Sequence, residues 1–384
     1  MESFIRPRAY VQGRKWDMRD LDTVSYVRIY WVDLVNVHRC RIVPVQYFKA
    51  LMKSNRPGVV VAKASLGLVY LTVPCPFAPG HMAILGQFEE KTAIPDDTGS
   101  LSLKPVHIHD FAASTGLLAG AAQSNALEEI ADAITASGIV LEMYHAEAAP
   151  GQYEVVTGPL TPLEAADALI HTREIIVQVR ARTRIFQVHA AGVEKTAEGL
   201  SKHEQAFLAG VLDHLPAIVA LTLPTHASYK RVADGVWSGG TYVCWGTENR
   251  ESSLRLTNAT SPGSRNFEAR FIDGTANPHL ALAAVFAGAF IGLKSMMELE
   301  VLDCSGLKTA AELTEDERLA LGIKKRLPLN IEDARKNLEQ DSALCELLTR
   351  DFVESYLSVD RTLQAALSQD ETEAQELTRL VKFY

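Results

Sequence analysis

The chain has 384 residues, 47% of them hydrophobic and 22% charged, and a formal net charge of −9 at pH 7. These proportions are typical of a globular protein with one large or two smaller domains, which can bury a core without covalent cross-links. The acidic balance disfavours nucleic acid and anionic membranes as partners.

Five cysteines are scattered along the chain, and none has the C-x-x-C spacing of a zinc or redox site. Dispersed thiols in odd number are typical of a reducing compartment. The first ten residues, MESFIRPRAY, lack the apolar segment of a secretory signal. We therefore expect a cytoplasmic location.

The N-terminal part is predicted to be a small sheet-rich unit. Two strand-like runs within residues 24–44 flank the turn-prone stretch from Asp33 to Asn36, which predicts a hairpin. A short helix over 47–53 and a return to strand over 58–73 follow.

Near residue 100 the pattern changes, and we divide the chain there into domains 1–100 and 101–384. The second domain combines a strand–loop–strand segment with long amphipathic or apolar helices, which predicts an α+β fold with helices on an antiparallel sheet. The clearest helices are predicted over 125–138, ending at Gly138, over 161–183, starting at Thr161, and over 200–215, where Ser201 and Glu204 form a capping box.

The stretch RNFEARFIDGTANPHLALAAVFAGAFIGLK, residues 265–294, places two opposite charges in an apolar, β-prone run. Residues i and i+2 of a strand share a face, so Glu268 and Arg270 should project together. A local ion pair on a solvated strand face and a functional pair both fit this pattern.

The same stretch continues into a helix that Asn277 should cap, with Pro278 at its first position. Fourteen uncharged residues, Leu280 to Leu293, follow. Their helix would be about 21 Å long, shorter than a bilayer core of about 30 Å, which predicts a buried helix in a large domain.

Carboxylates and arginines recur at predicted strand ends. Glu147 and Glu154 flank a Pro-Gly turn, where they could supply hard oxygen ligands to Mg²⁺ or Mn²⁺ or form a solvated hairpin tip. The arginines in question are Arg231, Arg250, Arg255 and Arg270. Guanidinium groups near a divalent cation suit the phosphates of ATP. The chain has neither a GxxxxGK[ST] nor a GxGxxG loop, so spacing indicates a metal-and-arginine phosphate site of another kind.

The ordered segments HAEAAPGQYE, PTHASYKR, WGTENRESSLR and FEARFIDGTANPH make the resemblance specific. The chain resembles the type I branch of the glutamine synthetase family, and most of all its fungal glutamine-synthetase-like members. This resemblance implies an N-terminal β-grasp domain and a catalytic domain whose helices pack on a curved antiparallel sheet. It also implies a homo-oligomer of stacked rings.

The resemblance assigns roles residue by residue. Glu147 and Glu154 match ligands of a first divalent metal, and Glu268 matches a ligand of a second. Arg231 matches the arginine that binds the α-carboxylate of glutamate, and Arg270 the one that contacts the phosphoryl group and substrate. Arg250 and Arg255 match arginines on the ATP phosphates. The implied reaction phosphorylates the γ-carboxylate of glutamate with ATP, and an amine then displaces phosphate.

Departures from the family pattern are equally specific. A Glu-x-Glu strand with one ligand for each metal is missing, and so is a Gly-rich segment with a His-x-His pair. His189 is its possible remnant, either a metal ligand or a packed loop residue. Trp237 stands where ammonia-using members have the glutamate that deprotonates ammonium. Trp237 either favours an amine larger than ammonia or fills space left by the missing segments.

Three functional hypotheses therefore remain. The chain is an ATP-dependent carboxylate–amine ligase, a catalytically impaired paralogue with a regulatory or scaffold role, or a truncated form of an active ligase. Loss of metal ligands favours the second, because each missing carboxylate weakens metal binding.

Overall fold

The computed structural model of the protein describes residues 26–36, 38–53, 122–146, 153–183, 200–235, 239–259, 266–305 and 308–368, with residues 372, 375 and 379. Helices and small sheets alternate through these ranges, so the fold class is α+β, as predicted. The strand predicted over 58–73 and the domain boundary near residue 100 lie outside the described residues.

The N-terminal hairpin is present where the alternating pattern predicts it. Strands β1 (Tyr26–Val32) and β2 (His38–Pro44) pair antiparallel, and helix α1 (Val45–Lys53) follows directly. Asn36 adopts a left-handed φ of 63° in the turn, which Asn tolerates better than most residues. The turn contacts the cap residue of the later helix over 278–295, where Asn277 Nδ2 donates to the Asp33 carbonyl at 2.8 Å.

A second hairpin packs beneath two helices. Strands β3 (Leu141–Ala146) and β4 (Tyr153–Thr157) pair antiparallel, and helices α2 (Ala122–Ala136) and α3 (Pro162–Thr183) lie on either side in sequence. Gly138 after α2 has a φ of 85°, in agreement with its predicted role as a helix terminator. The shared core contains Ile130, Ile134, Val155 and Ile176.

Two apolar helices form the centre of the main core. Helix α4 (Lys202–Thr222) begins with the predicted Ser201–Glu204 capping box, and helix α6 (Pro278–Ser295) begins with the predicted Asn277 cap. They approach closely through glycine: a Cβ added at Gly292 would lie 2.2 Å from the carbonyl oxygen of Ala206.

The prediction that the helix over Leu280–Leu293 is buried is wrong for one face of α6. Phe286 is 41% and Phe290 51% exposed, whereas the face toward α4 is buried. An uncharged run does not reveal which face lacks a neighbour. Within the described ranges, α4 and α6 are long and apolar enough to qualify as membrane spans, a test that core helices also pass.

Among the described residues, four further helices follow before residue 369: α7 (Glu315–Ala320), α8 (Ile331–Gln340), α9 (Ser342–Leu347) and α10 (Arg350–Leu367). Helix α8 packs on α4, and α10 packs on α8 and α9. Between α8 and α10 the Arg335 Nε donates to Asp360 Oδ2 at 2.7 Å, with both side chains buried.

A three-stranded sheet lies beside the α4–α6 pair. The short helix α5 (His226–Lys230) precedes strands β5 (Trp245–Thr247), β6 (Leu254–Thr257) and β7 (Asn266–Ala269). Strand β6 pairs antiparallel with β7 but parallel with β5, so the predicted antiparallel sheet is corrected here. The parallel pair needs only six intervening residues because the chain folds back within the turn that follows Thr247, where Glu248 has a φ of 54°.

Candidate functional site

Strand pairing explains the two opposite charges in the segment FEAR, residues 267–270. The β6–β7 register places Arg255 directly opposite Glu268. Glu268 accepts from Arg270 Nη1 at 2.5 Å through Oε1 and from Arg255 Nη1 at 3.2 Å through Oε2. The three side chains are mostly buried, so the carboxylate holds two guanidinium groups at fixed positions rather than forming a solvated surface pair.

A second carboxylate, which the sequence analysis missed, extends this array. Arg255 Nη2 donates to Glu248 Oε2 at 2.5 Å, and the Asn258 N–H donates to Glu248 Oε1 at 2.6 Å. Partial burial opposes ionisation of Glu248, but these hydrogen bonds outweigh it and lower the pKa of the carboxyl group. Its position in WGTENR, seven residues before Arg255, gives no periodic signal, because the contact depends on the turn between β5 and β6.

The predicted substrate arginines meet at one cavity. Arg231, at the end of α5, and Arg270, just after β7, line it together with Gly239 and Gly240. Its remaining walls are mainly apolar: Leu223, Val232, Phe271 and Leu327. The free volume of the cavity is about 10 Å³, which is close to that of one water molecule. The two guanidinium groups therefore mark where an anionic group would be bound, and not a pocket already open to a whole substrate.

Arg250 contributes through its main chain as well as its exposed side chain. Its carbonyl oxygen accepts from Arg270 Nε at 3.0 Å and from the Gly239 N–H at 3.1 Å. The Arg250 backbone therefore links the arginine array to the loop that borders the cavity.

The remaining predicted site residues are only partly placed. Glu147, His189 and Trp237 lie outside the described residues. Glu154 lies in β4 opposite His145, and its side chain also lies outside the described set. The structure therefore brings together Arg231, Arg250, Arg255, Arg270 and Glu268 of the nine predicted residues.

A divalent metal would require more ligands than this array supplies. In the part of the chain that the structure describes, no three His, Cys, Asp or Glu side chains are grouped to hold a metal ion. Glu268 is a hard oxygen donor of the type that Mg²⁺ and Mn²⁺ prefer. The donor set therefore fits such cations only together with the predicted ligands Glu147 and Glu154, whose side chains lie outside the described residues.

Comparison with known proteins defines the class. Residues 86–191 and 187–380 match the family "Glutamine synthetase, catalytic domain". The chain belongs to the glutamine synthetase family, as its ordered motifs predict.

Individual relatives show how much of each protein is shared. The chain is 39% identical to protein fluG of Emericella nidulans over 252 residues, which is 63% of this chain and 28% of fluG. It is 31% identical to the gamma-glutamylpolyamine synthetase GlnA3 of Streptomyces coelicolor over 266 residues, 62% of this chain and 56% of GlnA3. The chain thus spans between about a quarter and just over half of these two relatives.

Solved structures support the same architecture. A glutamine synthase homolog aligns with a TM-score of 0.54 and 26% identity over 68% of this chain and 64% of its own. A GmaS/ADP complex aligns with a TM-score of 0.66 over 94% of this chain and 98% of its own; its 19% identity shows the fold alone. The fold is therefore of the glutamine synthetase type, and the β-grasp assignment of the N-terminal unit stays a prediction.

Proposed function

We propose that the protein is an ATP-dependent carboxylate–amine ligase that acts on glutamate or a related acid. The observation that carries this proposal is the shared cavity of Arg231 and Arg270, next to the Arg255–Glu268–Arg270 array. Arg270 and Arg255 are held in place by Glu268, and guanidinium groups in fixed positions can orient a substrate carboxylate and the phosphoryl group transferred to it.

The reaction would proceed in two steps. A substrate carboxylate oxygen attacks the γ-phosphorus of ATP, which gives an acyl phosphate and ADP. The nitrogen of the amine then attacks the acyl carbon, the C–O bond to phosphate breaks, and one proton leaves the nitrogen. The products are the amide and inorganic phosphate.

Each arginine has a distinct part in this scheme. Arg231 binds the α-carboxylate, and Arg270 contacts the transferred phosphoryl group and the substrate. Arg250 and Arg255 contact the ATP phosphates. Glu147 and Glu154 would hold a first Mg²⁺ or Mn²⁺, Glu268 would hold a second, and His189 would be a further ligand. When bound, such a cation neutralises negative charge on the phosphates.

The proposed amine is larger than ammonia. Trp237 cannot accept a proton, and ammonium needs a general base to become a nucleophile. An arylamine is neutral at pH 7 and can stack on an indole ring. The similarity to a gamma-glutamylpolyamine synthetase also supports an acceptor larger than ammonia.

Phosphate release from ATP and glutamate, with ammonium and then with a panel of amines, tests this proposal. We expect faster turnover with a bulky or aromatic amine. Trp237→Glu should raise turnover with ammonium about 10²-fold, whereas Trp237→Phe should leave it low. Faster turnover of the unmodified protein with ammonium would contradict the amine preference.

The second candidate function is a catalytically impaired paralogue with a regulatory or scaffold role. It is favoured by Glu268, whose two oxygens each accept a hydrogen bond from a guanidinium group, so that the carboxylate has a structural role without a metal. Absence of turnover with every amine, together with metal-independent ATP binding, would support this candidate. A truncated form of an active ligase would instead regain turnover when the missing family segments are restored.

Assembly and location also belong to the proposal. We expect a homo-oligomer of stacked rings in the cytoplasm, with ATP, an acid and an amine as small-molecule partners. Neither nucleic acid nor membrane is part of the proposed activity.

A further inference from the structure

Two cysteines that are far apart in the sequence lie together in a small core beside the three-stranded sheet. Cys244 immediately precedes β5, and Cys304 lies in the segment 296–305 that follows α6. Both are free thiols, 0% and 2% exposed, in a cluster with Ala310 and Ile323. Sequence spacing gives no sign of this pair, because the fold and not a local motif brings the two residues together.

Backbone and side-chain hydrogen bonds hold the two chain segments side by side. The Cys304 N–H donates to the Trp245 carbonyl at 3.1 Å, and Trp245 Nε1 donates to the Val301 carbonyl at 2.8 Å. The Thr247 N–H and hydroxyl donate to the Asp303 carboxylate at 2.8 and 2.7 Å. Neighbouring strands lie about 4.8 Å apart, and a disulfide spans a Cα separation of about 4.4–6.8 Å. Segments this close therefore suit a covalent link between the two cysteines.

The two thiols also interact directly. A hydrogen bond joins them, with the Cys244 S–H as donor and the Cys304 sulfur as acceptor. This bond, together with burial, raises the pKa of Cys244, and it lowers the pKa of Cys304 because it favours the thiolate there. Since the thiolate is the reactive form, Cys304 is the nucleophile of the pair and Cys244 is the thiol placed to react with it next.

We propose that Cys244 and Cys304 form a reversible disulfide when the protein meets hydrogen peroxide. The Cys304 thiolate attacks one peroxide oxygen, the O–O bond breaks, and hydroxide leaves, which gives a sulfenic acid. Cys244 loses its proton and attacks the Cys304 sulfur, the S–O bond breaks, and a second hydroxide leaves. With the two thiol protons, the two hydroxides become water. Two thiols and one peroxide therefore give one disulfide and two waters.

The disulfide would restrict the turn that carries part of the arginine array. In the turn between β5 and β6, Asn249 Nδ2 donates to the Cys304 carbonyl at 2.5 Å. The same turn contains Glu248, which pairs with Arg255. A bond between the cysteines would tie segment 296–305 to the base of this turn, whereas a reducing compartment would leave both thiols free. This inference goes beyond the proposed ligase activity and does not require it.

Peroxide treatment of the folded protein, followed by alkylation of the remaining thiols and digestion with trypsin, tests the pair directly. Trypsin releases Cys244 in the peptide 232–250 and Cys304 in the peptide 295–308, each with a single cysteine. Mass spectrometry should detect a linked species whose mass is the sum of both peptides less two hydrogen atoms. Dithiothreitol should remove this species and return both thiols.

Three alanine variants provide the comparison. Cys244→Ala and Cys304→Ala should each lose the linked species, and Cys345→Ala should keep it. Cys345 is a matched control, because it is equally buried but donates to the Leu338 carbonyl and belongs to a different cluster. Peroxide should raise the melting temperature of the unmodified protein and of Cys345→Ala by several degrees, since a disulfide restricts the unfolded chain. Hydrogen exchange in the β5–β6 turn should become several-fold slower in the same two proteins.

The peptide map of the unmodified protein decides the proposal even if an alanine variant does not fold. Absence of the linked species after peroxide treatment overturns the proposed disulfide, and so does a link from Cys304 to any cysteine other than Cys244. A linked species without slower exchange overturns the effect on the β5–β6 turn. None of these measurements uses turnover, so loss of the ligase proposal would leave this inference intact, and an active ligase would not rescue it.

Discussion

At the scale of single residues, Glu268 is the point where two interpretations of the site diverge. Its carboxylate lies between Arg255 and Arg270, and this contact keeps both guanidinium groups in place. Glu268 is either a metal ligand or an arginine anchor, that is, a carboxylate that only holds Arg255 and Arg270 in place. The two roles predict opposite changes in ATP binding when the charge is removed. Neutralising a ligand weakens metal-dependent nucleotide binding, whereas neutralising an anchor leaves more positive charge for the phosphates.

Glu268→Gln keeps the shape of the side chain and removes its charge. If Glu268 is a metal ligand, ATP binding in the presence of Mg²⁺ should weaken at least tenfold and lose its dependence on Mg²⁺. Glu248→Gln is a matched control, because Glu248 also pairs with Arg255 but is not a predicted ligand. Titration calorimetry with ATP, with and without Mg²⁺, measures both variants. An unchanged Mg²⁺ dependence in Glu268→Gln would leave Glu268 as an arginine anchor.

Asp360 makes stability depend on pH. Burial raises its pKa to about 6 despite its contact with Arg335. Because the pKa of Asp360 in the folded state exceeds its ordinary value of 3.8, the folded state binds more protons than the unfolded state between about pH 4 and 6. The contribution of this group to stability is therefore greatest at the acid end and falls as pH rises to about 6, on the order of 3 kcal/mol in total.

Asp360→Asn should abolish this part of the pH dependence. Thermal unfolding midpoints measured from pH 4 to 7 should decline less with rising pH in the variant than in the unmodified protein. Asp213→Asn removes an exposed carboxylate that pairs with Lys325 and should preserve the original slope. Identical slopes in Asp360→Asn and the unmodified protein would contradict the raised pKa.

At the scale of elements, the contact between α4 and α6 depends on glycines, which have no side chain to keep the two backbones apart. Gly292 faces Ala206 and Gly210, and a Cβ there would overlap both backbones. Close approach brings the apolar faces of the two helices together over several turns, which produces much of the main core. The abundance of Gly and Ala in α6 indicates that this helix can pack closely against a neighbour. It does not indicate which helix that neighbour is.

Gly292→Ala tests this contact through the sign of its effect on the free energy of unfolding. Gly-to-Ala changes inside a helix normally stabilise by about 0.5–1 kcal/mol, but overpacking here should destabilise by about 1–3 kcal/mol. The melting temperature should therefore fall by several degrees at matched protein concentration. Gly274→Ala is the control, since the nearest atom to its added Cβ is Arg173 Nη2 at 4.0 Å. Equal or higher stability of Gly292→Ala would mean that the helices separate more easily than their packing indicates.

Features that depend on a few neighbouring residues could be predicted from the sequence, and features that depend on distant contacts could not. The caps at Ser201 and Asn277 depend on a few neighbouring residues, and both were predicted correctly. The pairing of Arg255 with Glu268 depends on strand register, and the contacts of Glu248 depend on a turn with no periodic pattern. The parallel β5–β6 pair was missed for the same reason, because a turn this short usually joins antiparallel strands.

At the scale of the whole molecule, the described part of the N-terminal unit has little core of its own. Val45 and Phe48 are its buried cluster, with Val27 and Met52 packed against them. Its hairpin turn contacts the N-terminus of α6 through Asp33 and Asn277. Such a small core gains most of its stability by packing against other parts of the protein or against a neighbouring subunit.

The protein should therefore assemble into a homo-oligomer, and we expect stacked rings. Rings arise when each subunit presents two different surfaces and the rotation between neighbours closes. Light scattering at micromolar concentration should give a mass several times the 42.1 kDa of one chain, and electron microscopy of the same sample should show rotational symmetry. The resemblance to the glutamine synthetase family also implies that the N-terminal domain of one subunit completes the site of the next, so turnover per chain should fall on dilution below the dissociation range. A monomer that keeps full turnover at every concentration would contradict both the assembly and the shared site.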